Sequence, residues 1–176
     1  VLVRAVRDGD WEGCLGIDTS YKTQYAWQMD ELHSGGEWRI SFREIRLPRS
    51  LRIQPVVSND SLLKSWQRRD QFWVALEHRE VIGYLGLDVD LALYQARITD
   101  IAVTPEHRRK GTASTMLARA TEWCLRQHIH QLIFVCPLKA HPAISFAQKH
   151  RFAFCGFQDS YWPGQEVALF FRQRVR

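Results

Sequence analysis

No apolar run in this chain approaches the roughly 18 residues needed to cross a bilayer, and the N-terminus has no basic-then-apolar leader pattern. Membrane insertion and secretion are therefore not expected, and the cytoplasm is the expected compartment. Cysteine is sparse: Cys14, Cys124, Cys136 and Cys155 are widely scattered, with no C-x-x-C pair and no nearby Cys/His pattern of the metal-binding kind. That spacing argues against a disulfide framework or a zinc site and for buried free thiols. Also missing are G-x-G-x-x-G and the Gly-Lys-Ser/Thr ending of a P-loop, which disfavours a dinucleotide fold or a nucleotide triphosphatase. There is no internal repeat and no low-complexity tract.

What remains is 176 residues, 45% hydrophobic and 24% charged, which fits one domain over residues 1–176. A net charge of +5 attracts anions in general. A nucleic-acid binder usually spreads such charge along a face with interleaved aromatics. Here the densest run, from Glu106 to Lys110, sits at one helix start, so a compact phosphate ligand is favoured over nucleic acid.

Residues 1–6 alternate weakly and predict a first strand; Asp8-Gly9-Asp10 predicts a turn and the cap of a helix from Trp11 onward. Residues 17–32 carry Tyr21, Tyr25, Trp27 and Met29 among polar neighbours. This fits core packing or one wall of a substrate pocket, with Asp18, Asp30 and Glu31 supplying negative charge. After the break at Gly35-Gly36, residues 37–47 alternate as a strand bulged near Arg43-Glu44. From 48 to 70 no period persists, and Pro48, Pro55 and Ser58-Asn59-Asp60 predict a long loop or lid with one short helix over 62–66.

Residues 72–76 and 81–89 predict two strands joined at Glu77-His78-Arg79-Glu80, and 97–103 a third. Ala113, Met116, Leu117, Ala120 and Cys124 recur at the spacing of an amphipathic helix on a sheet. A buried strand over 131–136, a helix over 142–150 and two strands over 152–157 and 166–171, around a loop at 159–164, complete the chain. The expected class is α/β (an α+β mixed sheet). A strand, helices, several antiparallel strands and then β-α-β-α-β-β give a central mixed, mostly antiparallel sheet with helices on both faces.

The stretch 97–124 carries the chemistry. A strand that feeds a small-residue turn at a helix start converges backbone N–H groups on an anion. Arg108, Arg109 and Lys110 oppose the helix macrodipole there, where an acidic residue would be favourable by about 0.3–1 kcal/mol. A bound pyrophosphate would offset that, and Gly111 and Ala113 would let N–H groups approach it without side-chain interference. The alternative is a solvated basic turn that merely starts a helix.

The run Val103-x-Pro105-x-x-Arg108-x-x-Gly111-x-Ala113 resembles the acyl-CoA-binding motif of the GNAT N-acetyltransferases. It matches that family's Arg/Gln-x-x-Gly-x-Gly/Ala loop at Arg108, Gly111 and Ala113, and the element order is the one the family fold requires. Asp18-Thr-Ser-Tyr21, Trp27-Gln-Met29, Phe42-Arg-Glu-Ile-Arg-Leu-Pro48, Pro142-Ala-Ile-Ser-Phe146 and Phe152-Ala-Phe-Cys-Gly-Phe157 resemble its streptothricin acetyltransferase-like members.

The resemblance implies acetyl-CoA held in a split between two parallel strands. The backbone of Ile101, Ala102 and Val103 would line the pantetheine arm. N–H groups of Arg108, Arg109, Lys110, Gly111, Thr112 and Ala113 would hold the pyrophosphate, with the Val103 N–H near the thioester oxygen as an oxyanion donor. It further implies direct acetyl transfer, without a metal, to a primary amine of a small molecule or peptide; a homodimer is one assembly it allows. Asp100 is the candidate for acceptor binding or proton removal, an ordinary strand-end carboxylate being the alternative. The match fails on the second helix. The family commonly carries Asn-x-x-Ala and then Tyr four residues later, whereas Ala140 and Ala147 occupy those positions here. Tyr161 is the candidate replacement donor, with packing beside Trp162 as its alternative. The gap also leaves open a catalytically impaired CoA-binding regulatory or interaction module.

Overall fold

Five consecutive buried residues, Phe72, Trp73, Val74, Ala75 and Leu76, mark a strand covered on both faces. They lie in a seven-stranded sheet of the computed structural model, which describes residues 1–55, 64, 66–164 and 166–176. Its spatial order is β1 (Leu2–Ala5), β4 (Gln71–Glu77), β5 (Glu80–Asp90), β6 (Gln95–Val103), β7 (Gln131–Pro137), β9 (Glu166–Arg174) and β8 (Ala153–Trp162). The β6–β7 pair is parallel; the other neighbours in this sheet are antiparallel. Two more strands, β2 (Tyr21–Ser34) and β3 (Glu37–Ile53), form a separate antiparallel ribbon.

Strand alternation divides the core. Trp73 and Ala75 join the larger apolar cluster, while Phe72, Val74 and Leu76 join the smaller one. Trp11 and Cys14 of helix α1 (Trp11–Leu15) cover the smaller. The larger takes Met116, Leu117, Ala120 and Cys124 from α2 (Thr112–Arg126) and Ile144 and Ala147 from α3 (His141–Lys149). The α2 stripe is the predicted one, and each fully buried side chain of Leu or Met size contributes on the order of 1.5–3 kcal/mol. The β4–β5 turn, also anticipated, puts His78 and Arg79 at φ 48° and 72°, as a two-residue hairpin turn of matching twist requires.

Several expectations are corrected. Asp10 does not cap α1 with its side chain; its carboxylate receives two bonds from Arg4, one of 2.6 and one of 2.9 Å, and one of 2.7 Å from the Arg7 N–H. Among the described residues α1 is the one α-helix between β1 and β2, where more helix was expected. The expected loop from Pro48 is strand as far as Ile53. The ribbon's register irregularity falls between Thr23 and Tyr25, opposite the stretch from Leu51 to Arg46, rather than near Arg43-Glu44. The predicted helix over 62–66 lies largely outside the described residues. The predicted loop at 159–164 is strand through Trp162. Cys14, Cys124 and Cys136 are buried free thiols as expected, but Cys155 is exposed. Burial pushes the Cys14 and Cys124 thiols up to about 12.

The ribbon is tied to the sheet by aromatic contacts. Phe42 lies 5.3 Å from both Phe154 and Phe157, and Tyr25 stacks on His141 of α3 at 5.2 Å. Gly83 stands opposite Val103, and a Cβ there would meet the Ala102 carbonyl oxygen at 2.8 Å and the Met116 methyl carbon at 3.2 Å. Gly83→Val is expected to destabilise the protein by about 1–3 kcal/mol, as overpacking against backbone does. Urea unfolding checks this; a wild-type midpoint would contradict the packing described.

Candidate active site

The site begins where two strands part. β6 and β7 keep register only from Gln95↔Gln131 to Ile98↔Phe134. Beyond Ile98, β6 continues against β5 alone as far as Val103, and β7 continues against β9 alone as far as Pro137. Thr99 falls out of the β5–β6 register, between Ile98↔Leu87 and Asp100↔Gly86, and its hydroxyl donates to the Gly86 carbonyl at 3.2 Å. Such a bulge adds local twist, which turns β6 away from its parallel neighbour.

Alternation decides which backbone groups face the opening. The Thr104 N–H donates to the Ile82 carbonyl at 2.9 Å, so Thr104 and Ala102 point their backbone toward β5. Ile101 and Val103 point theirs into the split. Of the three strand residues named from sequence, Ala102 is thus committed to the sheet. The Val103 carbonyl already accepts from Arg108 Nε at 3.0 Å.

The following loop is braced before it reaches the helix. A short turn over Pro105–His107 carries His107, which is 2.9 Å from the Thr104 hydroxyl through Nδ1 and 2.8 Å from the Glu77 carboxylate through Nε2. Arg108 does not present its charge to the opening. Besides Val103, its guanidinium donates to the carbonyls of Ser20, at 2.8 Å, and Asp18, and its own N–H goes to the Pro105 carbonyl. From there Arg109, at φ 64°, and Gly111, at φ 93°, take left-handed conformations that curl the chain into the start of α2. Among the described residues the N–H groups of Arg109, Lys110, Gly111, Thr112, Ala113 and Ser114 make no hydrogen bond within the geometry of a normal N–H···O contact. Free N–H groups at a helix N-terminus are the kind of arrangement that can seat an anion. The exposed Arg109 and Lys110 flank them.

Beside the split lies a cavity of about 270 Å³, lined on the β6–β7 side by Ile98, Asp100, Ile101 and Cys136, and walled by Tyr21, Tyr84 and Trp162. Burial, helped by the nearby Cys136 and Glu166, raises the Tyr21 phenol above its ordinary value; burial, with Asp100 next, does the same for Tyr84. Asp100 enters the cavity with its side chain 14% exposed and accepts from Arg69 Nε at 3.0 Å, while Arg69 also donates to Asp88 at 2.8 Å.

The remaining sequence candidates fall elsewhere. Tyr161 is not among the lining residues; its hydroxyl accepts from Arg97 at 3.5 Å and its ring packs edge-on against Trp162 and Phe170. Asp18 pairs with Arg52 at 3.2 Å and Asp30 with Arg43 at 3.1 Å, and Glu31 is exposed on the ribbon. Ala147 is fully buried in the core. His141 is 2.8 Å from Glu44, and His150, lowered by burial, is 2.9 Å from the Ser114 hydroxyl. Sequence reasoning missed Tyr84, Arg69 and Asp88. Tyr84 was in principle findable, since period two puts it with Gly86 and Asp88 on one face of β5, whereas Arg69 belongs to a stretch without any period.

Comparisons with known proteins agree with this geometry. The model of the Acetyltransferase (GNAT) family matches residues 38–152. The streptothricin acetyltransferase of Streptomyces lavendulae is 25% identical over 172 residues, which is 92% of this chain and 86% of that protein. Of the solved structures, nourseothricin acetyltransferase superposes with a TM-score of 0.85 at 20% identity, covering 99% of this chain and 98% of its own. A Bacillus anthracis protein solved in complex with acetyl coenzyme A gives 0.75 at 22% identity, covering 99% and 97%. These structural likenesses establish the fold, a mixed, mainly antiparallel sheet with helices on both faces. The family model spans more than half of the chain and takes in the split strand and the loop after it, so the chain belongs to the GNAT acetyltransferase family.

Proposed function

We propose that this chain, acting as one catalytic domain in the cytoplasm, transfers an acetyl group from acetyl-CoA to a primary amine of a small molecule by direct attack in a ternary complex. The observation that carries this reading is the split after Ile98, which leads into the row of free N–H groups from Arg109 to Ser114. Strand-like backbone followed by an anion seat fits an amide-bearing arm that ends in a pyrophosphate. The family match, and the relatives named for acetylating streptothricin and nourseothricin, support a small amine as acceptor. A carboxylate and two phenols at the cavity weigh against a module that only binds CoA.

When bound, acetyl-CoA supplies the acetyl group and a thiolate leaving group. The backbone of Ile101 and Val103 holds its arm, and the N–H groups from Arg109 to Ala113 hold its pyrophosphate, with Arg109 and Lys110 adding charge. The Val103 N–H stabilises negative charge on the thioester oxygen during attack, an electrostatic contribution worth about 2.7–4 kcal/mol in comparable oxyanion holes. Asp100 takes the proton from the acceptor's ammonium, directly or through one water. Tyr21 hands a proton to the departing thiolate in place of Tyr161, and the proton that the nitrogen sheds as the amide forms restores the phenol. Tyr21 lines the cavity with Cys136, Ala140 and Ala143, on the side of α3 where Ala147 leaves no donor.

Gly111→Val is expected to reduce acetyl-CoA affinity by more than about tenfold without loss of secondary structure, since a branched side chain is strained by about 1–2 kcal/mol or more in the left-handed region and crowds the seat. Calorimetric titration checks this; unchanged affinity would sink the pyrophosphate assignment. Tyr21→Phe is expected to lower kcat by about a hundredfold while acetyl-CoA still binds, whereas Tyr161→Phe keeps full turnover. Because the Tyr21 phenol is raised above its ordinary value, it stays protonated across the working range. The kcat profile is therefore expected to show no alkaline fall below about pH 10. Such a fall, absent in Tyr21→Phe, would assign Tyr21 a different state.

A further inference from the structure

Among the described residues, Arg69 is the one cation that bridges β5 and β6 beside Asp100, a residue that lines the cavity. It reaches Asp88 on one strand at 2.8 Å and Asp100 on the other at 3.0 Å. The two carboxylates face the same way: a Cβ at Gly86 would meet the Asp100 oxygen at 3.2 Å and the Phe72 ring at 3.0 Å, and Tyr84 stacks on that same Phe72 ring at 5.6 Å. Arg69 is 17% exposed, Asp100 14% and Asp88 43%, so the group is partly desolvated rather than free in solvent, with Asp100 its one member that lines the cavity.

Charge counting gives this group a direction. Among the described residues, two carboxylates stand against one guanidinium there, a net negative count even with Arg69 in place. The second oxygen of Asp88 is buried without a hydrogen-bond partner among the described residues, so the seat also has acceptor capacity to spare. A cationic nitrogen drawn to Asp100 meets a position that a protein cation already holds. The backbone beside Arg69 is pinned: the Asp70 N–H donates to the Leu87 carbonyl at 3.0 Å and the Asp70 carboxylate takes the Val89 N–H at 2.6 Å. Exchange therefore needs a change of side-chain rotamer, not a movement of the backbone at Asp70.

We infer that Arg69 is an internal stand-in for the acceptor's cation. The seat between Asp88 and Asp100 selects alkylammonium acceptors, and such an acceptor enters by displacing the Arg69 guanidinium. This rests on the acetyltransferase reading above and assigns the substrate class of that same site. Arg69 is in this sense a specificity residue; it takes no part in the bond changes.

The test is steady-state thiol release from acetyl-CoA with butylamine, which is cationic at neutral pH, and aniline, which is not. In Arg69→Gln the KM for butylamine is expected to fall about fivefold, the equivalent of removing a competing ion pair worth about 1 kcal/mol. The KM values for aniline and acetyl-CoA stay as in the wild type, and methylguanidinium inhibits the variant competitively against butylamine. Arg69→Lys, which keeps the charge but loses the planar bridge, is expected to lie between the two and serves if Arg69→Gln does not fold. A butylamine KM that is unchanged or raised in a folded, active variant overturns the inference and makes Arg69 a brace for Asp100. If the wild-type protein releases no thiol with any amine, the acetyltransferase reading itself fails and the Arg69 inference falls with it, an outcome visible before any variant is made.

Discussion

Everything at the candidate site depends on two parallel strands that stop pairing. β6 and β7 share only the register from Gln95 to Ile98, and the bulge at Thr99 turns β6 away just where β7 goes on with β9. An unpaired backbone amide out of reach of water costs roughly 1–3 kcal/mol. The chain meets part of that demand internally, through Arg108 on the Val103 carbonyl, and leaves the N–H groups of Ile101 and Val103 toward the opening. The cleft is therefore built from main chain, and side chains such as Tyr21 and Trp162 only wall it.

The bulge also separates two chemical environments. Ile101 and Val103 pack against the larger core cluster, while Tyr84 belongs to the smaller one and Asp100 lies beside its Phe72. One extra residue in β6 thus puts Asp100 on one face of the sheet with Ala102, and Ile98, Ile101 and Val103 on the other. A regular strand would have carried Ile98, Asp100 and Ala102 along one face and mixed the two.

What could be read in the sequence was what is local. The loop from Arg108 to Ala113, the stripe on α2 and the β4–β5 hairpin each follow from residues within a few positions of one another, and all three stand where expected. The ribbon of β2 and β3 was harder. Much of both its faces is exposed, so no apolar period runs along Tyr21–Ser34, and its aromatics contact α3 and β8 across more than a hundred positions. Asp10 reads as a cap in isolation, yet a bidentate Arg4 six residues upstream holds it more firmly than helix N–H groups would. Tyr161 has the right chemistry for a donor, but 159–162 is strand rather than loop, and alternation turns Trp162 to the cavity and Tyr161 away from it. The Arg69 bridge joins positions 19 and 31 residues apart and has no signature in spacing at all.

The guanidinium of Arg108 alters how the basic run should be counted. With its donors spent on the carbonyls of Asp18, Ser20 and Val103, it serves as a rivet that joins the segment leading into β2 to the end of β6. A planar fork can meet three oxygens in this way and a lysine ammonium on its flexible stem cannot, so the position calls for arginine on grounds of shape. The triplet Arg108-Arg109-Lys110 is thus a structural residue followed by two charges without an ion pair among the described residues, and the field at the start of α2 is that of two cations and a helix end.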